Sequence, residues 1–240
     1  MEPLDNPIWT ALNSRQAYFA EGRTAAKRFT PEVSPLGGIS APSEAGFAAV
    51  RELLVSGGGG IALFLPARPE TPAGLETMME CPLLQMILEN DAQLPPSDRA
   101  HEFMELGERD VPEMIELTAL TKPGPFEKRT REMGTYLGIR KDGRLVAMAG
   151  ERLKLPGYTE ISAVCTHPDH LGHGYAGFLM TILAERIRAR GEAAVLHVRP
   201  ENARAISLYE RLGFKKRYLA HLAVFRAAKS DSAQAASKPS

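Results

Sequence analysis

The chain has 240 residues, of which 44% are hydrophobic and 24% are charged, and its 29 Lys and Arg residues balance its 29 Asp and Glu residues. That composition excludes a mainly disordered or fibrous chain, and the balanced charge disfavours nucleic acid or an anionic membrane surface as a partner. The sequence shows neither a signal-like start nor an apolar run approaching the ~20 residues of a bilayer span. We therefore expect a cytoplasmic protein with no nucleic-acid or membrane partner.

The first hundred residues predict structural elements but contain no motif that carries chemistry. Ser43 is the predicted N-cap of a helix that ends at the glycines of 57–60. The other predictions for this region are a helix within 9–29, a strand at 61–65, and a helix at 75–89 that is kinked at Pro82. The prolines of 93–98 predict a linker, so we expect an N-terminal region at 1–98, a second domain at 99–228 and a flexible tail at 229–240.

After the linker the predicted elements follow a regular order. Asp110 caps a helix that turns Met114, Ile115 and Leu117 inward, and Asp142-Gly143 supplies the turn of a hairpin. Further strands are predicted at 103–106, 135–139, 145–153, 159–166, 193–198 and 218–225. Further helices are predicted at 126–133, 175–189 and 202–212, the second of them from apolar residues at helical spacing.

The segment most informative about function is Leu171-Gly172-His173-Gly174-Tyr175-Ala176, which lies between a strand and a long amphipathic helix. Its small residues allow a tight turn, so that successive backbone N–H groups converge on an anion at the positive end of the helix dipole. This arrangement predicts a pyrophosphate site. The same pattern also fits a purely structural turn, because a glycine pattern of this length is weak evidence when it stands alone.

The turn and a later segment together resemble the GNAT acetyltransferase superfamily. The family's phosphate turn has the form Gln/Arg-x-x-Gly-x-Gly/Ala after the fourth strand. Gly174 and Ala176 match it, whereas Leu171 replaces the usual Gln or Arg. The family's second signature is an asparagine followed by a short helix that ends in Tyr-x-x-x-Gly-Phe, and here it is Asn202 followed by Tyr209-Glu210-Arg211-Leu212-Gly213-Phe214. The resemblance covers residues 101–226.

The resemblance implies an α/β (α+β) GNAT fold, in which helices flank a central, mixed and mostly antiparallel sheet. Residues 99–228 would form the N-acetyltransferase domain, and residues 1–98 an α/β extension that is compatible with a degenerate GNAT half. Such an arrangement resembles the glycine N-acyltransferase-like branch. The implied reaction moves an acetyl group from acetyl-coenzyme A (acetyl-CoA), as co-substrate, to an amine of a small molecule or peptide, in a monomer or homodimer.

The resemblance also assigns residues to roles. The exposed amides of the fourth strand, at Val164-Cys165-Thr166, would hold the pantetheine arm and face the thioester oxygen. Tyr209 would be the general acid near the sulfur, whereas without the family motif it reads as a core aromatic on an amphipathic helix. The full set of expected cofactor contacts is Val164, Cys165, Thr166, Leu171, Gly172, His173, Gly174, Tyr175, Ala176, Asn202 and Tyr209.

Two glutamates compete for the role of general base. Glu160 lies eleven positions before the start of the phosphate turn, where histone-acetylating members of the superfamily carry their catalytic glutamate. Strand alternation would place it on one face with Ser162, Val164 and Thr166. Glu151 on the preceding strand is the alternative, because many family members use an acid from that region. In a third interpretation a water chain is the base and both glutamates are exposed strand-end carboxylates.

Two rival functions and a metal site also have to be weighed. The protein is alternatively a non-catalytic coenzyme A-binding GNAT-like sensor or scaffold, or a nucleotide-binding module, although the latter lacks the Gly-Lys-Ser/Thr of a phosphate loop. His167, His170 and His173 recur every third residue, but their loop offers only Asp169 as an acidic companion. We therefore expect no metal.

Overall fold

A computed structural model of the protein describes residues 2–89, 94 and 101–228. The helices in this part of the chain are α1 (Pro7–Leu12), α2 (Glu44–Gly57), α3 (Val111–Thr121), α4 (Tyr175–Ala189) and α5 (Ala203–Arg211). The strands are β1 (Ala20–Gly22), β2 (Ala26–Phe29), β3 (Leu36–Ile39), β4 (Ile61–Leu65), β5 (Leu75–Leu88), β6 (Met104–Glu105), β7 (Tyr136–Lys141), β8 (Arg144–Leu155), β9 (Tyr158–Thr166), β10 (Ala193–Val198) and β11 (Lys215–Ala227). The predicted linker, except for Leu94, and the predicted tail lie outside the described residues.

The described strands form one sheet in the order β1-β2-β3-β4-β11-β5-β10-β9-β8-β7-β6. Apart from β6, the strand order has the same form from both edges of the sheet. β1, β2, β3 and β4 follow one another inward from one edge, and β7, β8, β9 and β10 follow one another inward from the other, with β11 and β5 between them. The chain therefore contains two halves of like topology. The expected α/β extension at the N-terminus is confirmed, and its strands repeat the topology of the second half.

The two halves exchange their last strands. β11 of the second half pairs with β4 of the first half, and β5 of the first half pairs with β10 of the second half. β5 and β11 also pair with each other, from Leu75↔Ala227 to Ile87↔Lys215. Each half thus completes its sheet with the final strand of the other.

Each half contains one pair of parallel strands joined by a helix. We call β3, α2 and β4 the first unit, and β9, α4 and β10 the second unit. The other pairings between described strands are antiparallel. A parallel pair needs a crossover connection, and in both units a helix supplies it. The prediction of a mixed, mostly antiparallel sheet flanked by helices is therefore correct.

Helices cover both faces of the sheet in the second half. α4 packs Leu183 in one cluster with Leu137, whereas α3 packs Met114 in another cluster with Tyr136 and Met148. Tyr136 and Leu137 are neighbours on β7, so their side chains point to opposite faces of the sheet. We refer to these faces as the α3 face and the α4 face.

The N-terminal segment covers the middle of the α3 face. Leu12 of α1 lies in one cluster with Val195 of β10, whereas Ala194 and Leu196 on either side of Val195 face α4. Val195 is also the residue of β10 that pairs with Glu160 of β9. Glu160 therefore points to the α3 face, toward α1 and the first half.

Three of the predicted helices are wrong. Residues 9–29 contain only the end of α1, a 3-10 turn and the strands β1 and β2. Residues 75–89 form β5, because pairing with β10 and β11 overrides the helix propensity of their Leu, Met and Glu residues. Pro82 fits this strand because the pairing with β10 stops at Leu84, so the proline lacks a second neighbour on that side. Residues 126–133 contain only the 3-10 turn Thr130–Met133.

The remaining helix predictions are confirmed except for one cap. The carboxylate of Asp110, at the start of α3, accepts hydrogen bonds from the Gly107 N–H and from Arg140, and no amide of α3 donates to it. The Oγ of Ser43 accepts the N–H of Gly46 at 3.2 Å and caps α2, and α4 and β10 have the predicted bounds. The β7–β8 hairpin turns at Asp142 and Gly143, whose φ values are 50° and 78°. Among the described residues, no helix is long and apolar enough to cross a membrane.

Candidate active site

β9 and β10 separate part-way along their length. They pair in parallel only from Tyr158↔Ala193 to Glu160↔Val195. Beyond that point β9 continues beside β8, and β10 continues beside β5. The facing edges of the two strands therefore carry backbone N–H and C=O groups without a partner strand, and they form a fork with Glu160 at its base. An extended ligand with amide groups can hydrogen-bond along such an edge.

The turn before α4 leaves the N-terminus of this helix free for an anion. Gly172 and Gly174 have φ values of 86° and 80°, a region in which a side chain is strained. Gly174 is the N-cap residue, and no side chain of the described residues caps this 15-residue helix. A Cβ built at either glycine would meet no atom of the described residues within 4 Å, so within this part of the chain the space in front of the turn is open. These features fit a bound phosphate group.

The other predicted contacts of the turn lie around these glycines. Leu171 is 46% exposed, and the exposed ring of His173 stacks on buried Tyr175 at 5.3 Å between centroids. Ala176 is half-buried in the first turn of α4. His167 is used locally, since its Nδ1 accepts the Asp169 N–H at 3.3 Å. In the part of the chain that the structure describes, no group of three or more His, Cys, Asp or Glu side chains is arranged to hold a metal ion.

The side chains of β9 do not alternate as predicted. Ala163 has a φ of 52°, and the pairing of β9 with β8 shifts register after Ser162. This is a β-bulge, which reverses the alternation beyond it. Val164 consequently packs on the α4 face, whereas Glu160 points to the α3 face. The expected common face of Glu160, Ser162, Val164 and Thr166 is therefore wrong.

Glu160 is held in a buried ion pair at the base of the fork. Its carboxylate accepts two hydrogen bonds from Arg152, at 2.8 and 2.7 Å, and a third contact joins it to Nδ1 of His197 at 2.7 Å. The three side chains are between 1% and 9% exposed. Burial alone would raise the pKa of Glu160, but the positive charge of Arg152 and the hydrogen bonds from Arg152 and His197 outweigh it and lower the pKa to about 2.

The polar contacts continue from His197 toward the N-terminus. Gln85 of β5 lies 3.1 Å from Nε2 of His197, and its amide also donates to the carbonyl of Leu4 at 3.0 Å. The amide oxygen of Gln85 accepts a hydrogen bond from Arg217 at 2.9 Å, so Gln85 presents its NH2 group to His197. Nε2 of His197 is then the acceptor, and Nδ1 carries the proton that it donates to Glu160.

Glu151 lies on the other side of the sheet and is also paired. Arg190 donates to its Oε1 at 2.7 Å, and Lys154 lies 3.0 Å from its Oε2. Burial acts to raise the pKa of Glu151, but the hydrogen bonds and charges of Arg190 and Lys154 leave the pKa lowered. Glu151 and Glu160 are both fully buried, so the interpretation of either as an exposed strand-end carboxylate is wrong.

Asn202 and Tyr209 stand on the α4 face, next to the phosphate turn. Asn202 caps α5, since its Oδ1 accepts the N–H of Ala205 at 3.1 Å. α5 lies against the start of α4, where a Cβ at Gly177 would come within 3.3 Å of Leu208. Tyr209 is 9% exposed, and burial raises its pKa to about 12, so the hydroxyl keeps its proton at neutral pH.

The predicted site residues thus occupy two faces joined by the fork. The turn, Asn202 and Tyr209 lie on the α4 face, and Glu160 lies on the α3 face. Val164 and Thr166 are partly exposed, whereas Cys165 is buried, and this burial raises the pKa of its thiol to about 11.

Comparison with known proteins identifies the family. The family model described as FR47-like protein matches residues 136–223. A structure from Novosphingobium aromaticivorans, described as an acetyltransferase of the GNAT family, is 35% identical with a TM-score of 0.85, and the match covers 95% of this chain and 100% of that chain. The chain belongs to the GNAT acetyltransferase superfamily. The GCN5-related N-acetyltransferase of Kribbella flavida, at 16% identity and a TM-score of 0.61 over 95% of both chains, shares the fold.

A further relative matches only part of the chain. The mycothiol acetyltransferase of Brachybacterium faecium is 39% identical over 80 residues, which are 31% of this chain and 24% of that protein. The placement in the glycine N-acyltransferase-like branch stays a prediction. GNAT membership implies the use of acetyl-CoA, and the residues fit it: the uncapped helix and open glycines suit a pyrophosphate, and the fork suits an extended arm with amide groups.

Sequence reasoning missed Arg152 and His197. Both are polar residues within strands that otherwise read as buried and apolar, and such a residue needs a buried partner. That signal was available, but the identity of the partner was not. Only the sheet order brings β8, β9 and β10 together at Glu160.

Proposed function

We propose that the protein is an N-acetyltransferase that moves the acetyl group of acetyl-CoA to an amine of a small molecule or peptide. The observation that carries this proposal is the uncapped N-terminus of α4, with its two glycines of positive φ that face open space beside the fork. Acetyl-CoA supplies the activated acetyl group as a thioester.

The residues divide the work of such a transfer. The backbone N–H groups of residues 171–176 would bind the pyrophosphate, and the free edge of β9 at Val164-Cys165-Thr166 would hold the arm and stabilise the thioester oxygen as it gains charge. Tyr209 would donate a proton to the departing thiolate, because its raised pKa keeps the hydroxyl protonated.

The acceptor amine must lose a proton, and two glutamates are candidates for that step. Glu160 and Glu151 are each engaged in ion pairs, and the pKa of each is lowered. A carboxylate of low pKa that is already paired is a weak base for direct proton abstraction. We therefore favour water as the immediate acceptor of the proton, with Glu160 holding the charge at the base of the fork.

The test is a screen of amino acids, polyamines and peptide N-termini with acetyl-CoA, read as release of free thiol. Transfer to at least one amine is expected, with the acetylated product identified by mass. Tight binding of coenzyme A without thiol release for any amine would instead support the non-catalytic sensor or scaffold.

Tyr209→Phe separates the role of acid from that of a core aromatic. The variant keeps the packing of the ring and removes the proton donor, so kcat should fall by roughly 100-fold while the affinity for coenzyme A stays within about twofold. Tyr18→Phe is the control, because Tyr18 is 71% exposed and remote in sequence from the second half. An unchanged kcat in Tyr209→Phe would show that Tyr209 only packs in the core and is not the general acid.

A further inference from the structure

Tyr136 carries a buried hydroxyl group that has no hydrogen-bond partner among the described residues. The side chain is 1% exposed, and its Oη lies among the buried polar atoms that the structure leaves unsatisfied. An unpartnered buried hydroxyl is costly for stability and is rare in native proteins. A group of this kind in an enzyme therefore points to a partner that arrives with a ligand.

The position of the ring directs this hydroxyl toward the fork. Tyr136 on β7 pairs with Gly150 on β8, and Gly150 pairs with Ser162 on β9, so the three residues form one row across the sheet. A Cβ at Gly150 would come within 2.2 Å of the Tyr136 ring, which shows that the ring lies across the glycine. The hydroxyl therefore extends over β8 in the direction of β9.

The surroundings at the end of this row suit a small polar group. Ser162 is partly exposed, although its neighbours Ile161 and Ala163 are buried, so the sheet is open at this position. Phe126 packs edge-on against the Tyr136 ring, with the centroids 5.6 Å apart. Ser162 lies two residues beyond Glu160, where β9 has already left β10.

The charges nearby favour a neutral or singly positive group over an anion. Arg152, Glu160 and Glu151 all lie within electrostatic reach of Tyr136, and the two carboxylates outnumber the one guanidinium among them. Burial raises the pKa of Tyr136, so its oxygen remains a phenol that can accept a hydrogen bond from an N–H.

From this geometry we infer that the hydroxyl of Tyr136 binds the acceptor amine, accepting a hydrogen bond from its N–H group on the α3 face beside Ser162. This inference rests on the proposed acetyltransferase function. It makes Tyr136 an acceptor-binding residue and places acceptor entry on the face of the sheet opposite α4 and the phosphate turn.

The test compares Tyr136→Phe with wild type in four measurements: KM and kcat/KM for an acceptor, the affinity for coenzyme A, and Tm. The probe is whichever of glycinamide, spermidine and an N-terminal peptide wild type acetylates fastest. We expect KM for the amine to rise and kcat/KM to fall by roughly tenfold, with coenzyme A affinity unchanged. The Tm should stay the same or rise, because the variant removes a polar group that the free protein leaves unpaired.

The outcomes distinguish this inference from the function on which it rests. If wild type acetylates an amine and Tyr136→Phe does so with the same KM and kcat/KM, a buried water or nothing at all occupies this position and the inference is wrong. If wild type releases no thiol with any amine of the wider screen, the proposed function fails, and the inference fails with it. Tyr18→Phe again serves as the matched control, with no change expected in any of the four measurements.

Discussion

The first unit and the second unit have the same topology but differ in the connection that leads from the first strand into the helix. In the first unit, residues 40–43 connect β3 to α2, and Ser43 occupies a helix amide with its own Oγ. In the second unit, residues 167–174 make the connection, and no side chain among the described residues caps α4. Ser43 satisfies one of the N–H groups that an anion at α2 would need, whereas the described residues leave the first N–H groups of α4 without a side-chain acceptor.

The parallel strand pairs of the two units, β3–β4 and β9–β10, also differ in how they are packed. The last paired residue of β3 is Gly37, and a Cβ there would come within 2.6 Å of Ile61, so the first unit is closed by tight packing. The last paired residue of β9 is Glu160, which brings Arg152 and His197 to the base of a fork. Two units of one topology thus serve different purposes, and the difference lies in caps and buried charges.

The largest expected effect concerns the phosphate turn. Gly174→Glu places a side chain and a negative charge in the open space before α4, and we expect coenzyme A affinity to fall by at least roughly 100-fold. Ser43→Asp is the matched control in the first unit, because it keeps an N-cap and adds the same charge. Isothermal titration of coenzyme A into both folded variants checks this. Equal affinities would contradict the assignment of the site to the second unit.

The next effect concerns the buried charge of the second unit. Glu160→Gln leaves the guanidinium of Arg152 buried without its counter-ion, and we expect the free energy of unfolding to fall by about 3–5 kcal/mol. Glu210→Gln should cost less than about 1 kcal/mol, because Glu210 and Lys216 form an exposed pair. Urea unfolding at neutral pH measures both, and similar small losses would show that the buried pair contributes little.

The same carboxylate predicts how stability depends on pH. The pKa of Glu160 is about 2 in the folded protein, below the ordinary value of 4.5 that applies when it is unfolded. The unfolded state therefore binds more protons between these values, so the stabilisation is complete above about pH 5 and is lost as the pH falls toward 2. Glu160→Gln should show a shallower loss over this window. An identical slope in wild type and variant would contradict the low pKa.

The smallest effects compare the two helix caps. Ser43→Ala and Asn202→Ala should each lower the free energy of unfolding by about 1 kcal/mol, because each removes one side-chain acceptor from a helix N-terminus. Only Asn202→Ala should also weaken coenzyme A binding or turnover, by a few-fold. Thermal melts and the Michaelis constant for acetyl-CoA test both variants. A loss of coenzyme A affinity in Ser43→Ala would contradict the assignment of coenzyme A binding to the second unit.

Local sequence signals predicted the second unit well and much of the first half poorly. α4 has the predicted bounds because its apolar spacing, its glycine turn and its stop agree with one another. The strand β5 was predicted as a helix because its Leu, Met and Glu residues favour helices, and only its place between β10 and β11 makes it a strand. No local sequence pattern predicts that β5 lies between these two strands.

The candidate site, like the fold, was predictable only in part from the sequence. The turn, Asn202 and Tyr209 form short motifs, so the sequence alone is enough to nominate them as candidates. The reversal of side-chain direction along β9 depends on the bulge at Ala163, whose φ is 52°. The direction in which the hydroxyl of Tyr136 points depends on Gly150, the residue that pairs with Tyr136 on β8. Both are properties of strand pairing, which residues on one strand do not reveal.

The exchange of final strands has a consequence for how the chain reaches its native state. β4 and β5 are synthesised before β11, yet β11, the last strand among the described residues, is the partner that joins them. Until it arrives, the nascent first half presents open β edges that invite pairing with other chains. Folding must therefore wait for contacts of very long sequence separation, and the residues most exposed to misassembly during synthesis are those that end up in the middle of the finished sheet.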